Sequence, residues 1–246
     1  MIRKAIISGG GTGGHIFPAI SIAEALRRRY PDIDILFIGA EGRMEMQRVP
    51  QAGFPIQGLK IRGLDRKHLW RNIGVLRDFI RALVSARDII RSFQPEVVIG
   101  VGGYASAPTL KAAQSLGIPT LIQEQNSYAG VTNKFLARRA TKICVAYPEM
   151  ERFFPKDKIV LTGNPLRPAI EHLSVSRDEA LSYFGLPADT KHVVLVVGGS
   201  LGARSINESI GSRLKEWADS GVGLIWQTGT SFEEKARRLR SFRGWI

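Results

Sequence analysis

The sequence predicts an α/β chain of two Rossmann-like, doubly wound parallel-sheet domains, the second of them incomplete. Three observations predict this class. Short apolar runs alternate with helical stretches, the pattern of βαβ units. A glycine-rich turn follows a strand-like run once in each half, at residues 9–14 and again at 198–202. The 246 residues are 44% hydrophobic and 23% charged, ordinary for a globular chain with enough length for one large core or two smaller ones. That composition excludes a disordered, collagen-like or disulfide-stapled chain, and the single cysteine, Cys144, has no partner for an internal disulfide.

Residues 5–8 form the first strand, followed by the glycine turn and a helix opening at Pro18. That helix carries Ile20, Ala23, Leu26 and Tyr30 at helical spacing and ends in Arg27, Arg28 and Arg29, which suit a helix C-terminus. Residues 33–38 make a second strand, and residues 97–101 a third that enters Gly102 and Gly103. Short buried strands follow at 120–123 and 143–146. These elements form a first domain spanning residues 1–160. Beyond Pro155 the chain is rich in turn residues, among them Gly163, Asn164, Pro165 and Pro187. The opening pattern then recurs: an apolar run at 192–197, the turn at 198–203, a helix over 206–217 and a strand at 224–227. The second domain, residues 161–246, shows only two strands, whereas such domains usually need roughly 100–150 residues. The sequence therefore reads as cut short inside its second domain.

Thirty-five lysines and arginines against 22 acids give a formal charge of +13, which points to an anionic partner such as a phosphorylated substrate, nucleic acid or an acidic membrane. No stretch approaches the roughly 18 consecutive apolar residues of a spanning helix, and no signal segment opens the chain, so a cytoplasmic protein is expected. Nine basic residues and three aspartates fall between positions 60 and 91. Leu69, Ile73, Leu76, Ile80 and Leu83 recur there at helical spacing, which predicts a core-facing stripe. Trp70, Arg77 and Arg81 fall on a neighbouring face. A tryptophan among arginines suits an interfacial membrane site, with an ordinary basic surface helix as the alternative. No nucleic-acid-binding motif accompanies it.

Glycines in the first turn let the backbone approach a ligand, and the helix that follows offers free N–H groups. Gly9, Gly11 and Gly14 formally satisfy G-x-G-x-x-G, the dinucleotide fingerprint, but the second strand lacks the acid at its end that would grip a ribose. A nicotinamide-dependent oxidoreductase is thus the weaker alternative. His15 stands where the turn becomes a helix, as a backbone cap or as a general base. Tyr104 follows the glycines of the third strand and can bind a sugar or pack. Glu124, Gln125 and Asn126 end the next strand with hydrogen-bonding side chains suited to a polyhydroxylated ligand. Arg167 is a candidate clamp for a diphosphate or a solvated loop arginine, and Ser200 is a donor in the second glycine turn. The four histidines stand apart from one another and from Cys144, so no metal-ligand cluster is expected.

Five ordered motifs carry a resemblance: Gly9-Gly10-Gly11-Thr12-Gly13-Gly14-His15, Gly102-Gly103-Tyr104, Glu124-Gln125-Asn126, Gly163-Asn164-Pro165-Leu166-Arg167 and Gly198-Gly199-Ser200-Leu201-Gly202-Ala203. Together, from residue 1 to at least Gly229, the chain closely resembles the MurG family, the peptidoglycan N-acetylglucosaminyltransferases. The resemblance implies a GT-B fold and an inverting transfer of GlcNAc from UDP-GlcNAc to the C4 hydroxyl of MurNAc in lipid I, giving lipid II for cell-wall synthesis. It also implies donor contacts from Thr12, Gly13, Gly14, Asn126, Arg167 and Ser200. His15 is the implied base, with Glu124 competing for that role, and Tyr104 and Gln125 are acceptor-binding candidates. It further implies docking through Trp70, Arg77 and Arg81 at the cytoplasmic face of the bacterial plasma membrane. No cofactor, metal or nucleic-acid partner is expected. A non-catalytic module that binds membrane and lipid I is the other alternative.

Overall fold

The computed structural model of the chain describes residues 2–62, 73–167, 170, 173–199 and 201–239. It divides into two compact units, Met1–His172 and Leu173–Ile246.

The first unit is built on seven parallel strands: β1 (Lys4–Ser8), β2 (Asp34–Ala40), β3 (Ile56–Leu59), β4 (Val97–Gly100), β5 (Thr120–Glu124), β6 (Lys142–Val145) and β7 (Ile159–Leu161). Their order across the sheet is β3-β2-β1-β4-β5-β6-β7. The central strands are near-continuous β-branched and apolar runs because both faces are covered. Alternate residues serve opposite layers, as the twofold strand period requires. Ile6, Leu36, Ile38 and Val98 pack on one side with Ala82, Ala86 and Ile90 of α3 (Ile73–Phe93), Leu110 of α4 (Ser106–Ser115) and Leu136 of α5 (Val131–Ala137). Ile7, Ile35, Phe37 and Ile99 pack on the other with Ile16, Ala19, Ile20 and Ala23 of α1 (Gly13–Arg29) and Val49 of α2 (Glu45–Gln51).

The chain runs outward from β1 through β2 to β3, then returns to β4 on the other side of β1. The strand order thus reverses between β1 and β4, and the carboxyl ends of these strands flank the crevice where open parallel sheets bind ligands. The turns after β1, β4 and β5 all emerge on this side.

Several boundaries differ from the sequence expectation. Helix α1 begins at Gly13 and contains Pro18, rather than opening there. Thr12 stands just before it in extended conformation, and its carbonyl accepts the amides of His15 at 3.1 Å and Ile16 at 3.2 Å. Proline is tolerated one turn further on because its absent N–H deprives only the Gly14 carbonyl of a helical partner. The edge strands β3 and β7 are only four and three residues long, too short to carry a strand period of their own, and pair with β2 and β6.

Helix α3 departs further. Ala82, Ala86 and Ile90 face the core with Leu83 beside them, but Leu76 and Ile80 do not, being 64% and 53% exposed, with Val84 at 56%. At 100° per residue the apolar arc of α3 spans roughly 220°, more than α4 and the sheet can cover, so the Leu76-Ile80-Val84 ridge faces outward. Exposed Arg77 and Arg81 stand beside it. Trp70 and Leu69 lie outside the described residues.

The second unit contains α6 (Arg177–Tyr183), β8 (Val193–Val197), α7 (Arg204–Gly211), α8 (Leu214–Asp219), β9 (Gly223–Gln227) and α9 (Glu233–Leu239), with β8 and β9 paired in parallel. Ser176 and Glu179 form a reciprocal capping box on α6. The single helix expected over 206–217 is two helices. Gly211 is a poor helix former, and the Ser212 hydroxyl donates to the Ser209 carbonyl at 3.0 Å, an alternative to continued helix. Strand β8 is a parallel apolar run as expected, though Leu195 and Val197 are exposed.

Candidate functional site

Residues 9–12 after β1 and 101–105 after β4 pass so closely that Gly9 and Gly103 have no room for a side chain. A Cβ on Gly103 would overlap the Gly10 carbonyl oxygen, and one on Gly102 would stand 2.9 Å from Nε2 of His15. Gly103 adopts φ +88°, where glycine carries no steric penalty. Buried Ser106 at the start of α4 joins the two turns by donating to the carbonyls of Ser8 at 2.6 Å and Gly102 at 2.9 Å.

His15 is half-buried in the first turn of α1. Its Nδ1 is 3.1 Å from Oγ1 of Thr12, an exposed side chain, while Nε2 is turned toward Gly102. Burial holds the imidazole below its ordinary protonation range. The negative charge of Glu124, a hydrogen bond to the Gly10 backbone and the charge of Glu45 oppose that shift without reversing it. His15 is consequently neutral at pH 7 and able to accept a proton.

Glu124 is 1% exposed at the end of β5, with both carboxylate oxygens engaged. Oε1 accepts the backbone and side-chain amides of Asn126, each at 3.1 Å. Oε2 accepts the Gly130 amide and Nδ2 of Asn133, each at 2.9 Å. The carboxylate therefore ties the end of β5 to the start of α5 and orients Asn126, which is itself exposed. Gln125 donates to the Val101 carbonyl at 2.9 Å, bracing the β4 turn. Tyr104 is 44% exposed beside Gly11.

Arg167 reaches the same rim. Its guanidinium lies 5.0 Å from the ring centre of Phe17, and that ring packs against Gly13. Asn164 donates to the Gln125 carbonyl at 3.3 Å. The first unit therefore gathers Thr12, Gly13, Gly14, His15, Tyr104, Glu124, Gln125, Asn126 and Arg167 around the carboxyl ends of β1, β4 and β5. Arg77 and Arg81 stand apart on α3. Among the described residues, no group of three or more histidines, cysteines or acids is placed to hold a metal.

In the second unit, the turn after β8 leans on the turn after β9: a Cβ on Gly202 would overlap the Thr228 carbonyl. Buried Asn207 locks the pair, donating to the Thr228 carbonyl at 2.8 Å and accepting Nε1 of Trp226 at 3.1 Å. Ser200 lies outside the described residues.

Sequence reasoning missed Glu45, the first residue of α2. It is 1% exposed, with Oε2 accepting the Gly11 amide at 2.9 Å and Oε1 the Ala40 amide at 3.1 Å. An acid shortly after the second strand is the only signal the sequence offers for it.

Comparison with known proteins places the fold in context. Residues 5–145 match the glycosyltransferase family 28 N-terminal domain. A curated relative from Porphyromonas gingivalis strain W83, a UDP-N-acetylglucosamine–N-acetylmuramyl-(pentapeptide) pyrophosphoryl-undecaprenol N-acetylglucosamine transferase, is 66% identical over 235 residues, covering 96% of this chain and 62% of the relative. The protein of the same name from Parabacteroides distasonis is 56% identical over 242 residues, covering 98% of this chain and 66% of the relative. The chain thus spans less than two thirds of the length of these relatives. A crystal structure of Acinetobacter baumannii MurG superposes with a TM-score of 0.70 at 27% identity, covering 99% of this chain and 64% of that one. The parallel α/β architecture of both units agrees with the GT-B expectation. With the family model matching more than half of its residues, the chain belongs to glycosyltransferase family 28.

Proposed function

We propose that the chain serves the transfer of N-acetylglucosamine from UDP-GlcNAc to the C4 hydroxyl of N-acetylmuramic acid in lipid I, giving lipid II for peptidoglycan synthesis. The observation that carries this reading is the 66% identity, along nearly the whole chain, to a transferase named for that reaction. In this reading residues 1–160 take the acceptor and meet the membrane, and residues 161–246 supply part of the donor site.

The chemistry is a single displacement. The acceptor oxygen attacks the anomeric carbon from the face opposite UDP, the new C–O bond forms as the sugar–phosphate bond breaks, and UDP leaves with the electron pair. His15 takes the hydroxyl proton. The exposed Thr12 hydroxyl beside Nδ1 marks the ring edge that a substrate reaches. We assign Glu124 to orientation rather than to proton transfer, because four donors already occupy its oxygens. Gly13 and Gly14 offer the amides of the first helical turn to the donor, Arg167 a cation for its diphosphate, and Asn126 a polar side chain. Tyr104 and Gln125 are assigned to the acceptor side and Ser200 to the donor.

The Leu76-Ile80-Val84 ridge with Arg77 and Arg81 supports peripheral docking on the anionic cytoplasmic face of the plasma membrane. No helix among the described residues is long and apolar enough to cross a membrane. The Gly11 amide, which would cradle a dinucleotide's phosphate, is engaged by Glu45, and this weighs against the oxidoreductase alternative.

The test is transfer of labelled GlcNAc from UDP-GlcNAc to a lipid I analogue, run on this chain and on a form as long as its relatives. Lipid II product in either supports the reading, and absence from both overturns it.

A further inference from the structure

Glu45 is a buried carboxylate to which the transfer chemistry assigns no role, yet the turn after β1 is built around it. A Cβ on Gly10 would overlap its Oε1, and one on Gly39 would fall 2.6 Å from its Cγ. Two glycines on adjacent strand ends thus give space to one acidic side chain. In return the carboxylate accepts the Gly11 and Ala40 amides, tying the ends of β1 and β2 together. Amides of a glycine turn at a strand end are the groups that phosphate-binding sheets offer to their ligand. Here one of them is already neutralised from inside the protein.

We propose that Glu45 is a positioning residue, the resident anion of the glycine turn, which fixes Gly11 and through it Thr12 and His15, and which closes the Gly11 amide to phosphate. The role of His15 rests on the transferase reading, but the geometry of the turn does not. Because Gly11 is immediately followed by Thr12, whose hydroxyl meets Nδ1 of His15, displacement of Gly11 would be transmitted directly to the imidazole. Two acidic groups face that imidazole among the described residues, Glu124 from the end of β5 and Glu45 from α2. Glu45 is thus coupled to His15 through charge as well as through the backbone. A turn with its anion built in suits a neutral sugar hydroxyl at its mouth.

The test is heteronuclear NMR of the 246-residue chain and its Glu45→Ala and Glu45→Gln variants, with formate and inorganic phosphate as probes. In the parent, millimolar phosphate leaves the Gly11 and Ala40 amides unmoved. In Glu45→Ala these amides exchange roughly tenfold faster, as expected for loss of a hydrogen bond. The His15 titration moves to lower pH, and formate binding in the vacated space restores both toward the parent. Glu45→Gln lowers the His15 midpoint while keeping the side-chain volume. Unchanged Gly11 exchange and an unchanged His15 midpoint in a folded variant would overturn the assignment, as would phosphate binding at the parent's Gly11 amide. If neither variant folds, the parent alone decides: on acidification the Gly11 and Ala40 amides should move together with the Glu45 carboxyl carbon, and independent movement refutes the assignment. Absence of GlcNAc transfer would end the transferase reading and leave these resonances to decide Glu45.

Discussion

Replacing Leu76 and Ile80 together by serine tests the proposed membrane docking with a magnitude the structure supplies. Full burial of a leucine or isoleucine side chain is worth about 1.5–3 kcal/mol. With 64% of Leu76 and 53% of Ile80 open to solvent, membrane insertion gains only that exposed part, about 1–1.5 kcal/mol from each. The double variant should therefore lose about 2–3 kcal/mol, or roughly thirty- to 150-fold in vesicle partition. Because both side chains already face water, folding stability should change by only about 0.5 kcal/mol per site. Arg77→Ala and Arg81→Ala should each cost about 1 kcal/mol on anionic vesicles, and this part should fade as salt shortens the screening length. The assay is co-sedimentation with vesicles containing phosphatidylglycerol, at low and high salt, with thermal melting as the folding control. A double variant that partitions like its parent would refute the reasoning. So would a loss of the same size that disappears at high salt, because apolar insertion is not screened.

The site yields three more expectations. In a form that turns over, His15→Ala should lower kcat by about 10²–10⁴-fold with little change in KM for UDP-GlcNAc, and steady-state kinetics would reveal near-normal turnover if another group takes the proton. Because burial holds His15 below its ordinary 6.5, the unfolded chain binds its proton first as pH falls. Stability should decline from about pH 7 through 6.5 and level off once the folded-state imidazole is also protonated; urea titrations at several pH values should show this slope weakened in His15→Gln. Gly103→Ala must place a Cβ on the Gly10 carbonyl at φ +88°, so it should cost the first unit about 1–3 kcal/mol, visible as a lowered melting temperature.

The glycine turns, the parallel α/β class and most of the candidate site were legible because their signals are local. An apolar run entering glycines or consecutive polar residues announces a strand end whatever surrounds it; His15 and Tyr104 follow glycine turns of this kind, and Glu124 and Asn126 stand in the polar end of β5. Helix α3 was legible as a helix, since its period is a local property, but its exposed ridge was not. Which part of an apolar arc is covered depends on the width of the neighbouring helix, here α4.

The sequence by itself determined the alternation of elements, the positions of the turns and the excess of positive charge. The tertiary structure alone decided that β3 and β7 are strands, that the Glu124 oxygens accept amides of Asn126, Gly130 and Asn133, and that Glu45 belongs to the β1 turn. The physical reason is that edge pairing and the path of each turn at a strand end are set by strand order, and that order comes from packing the whole sheet at once.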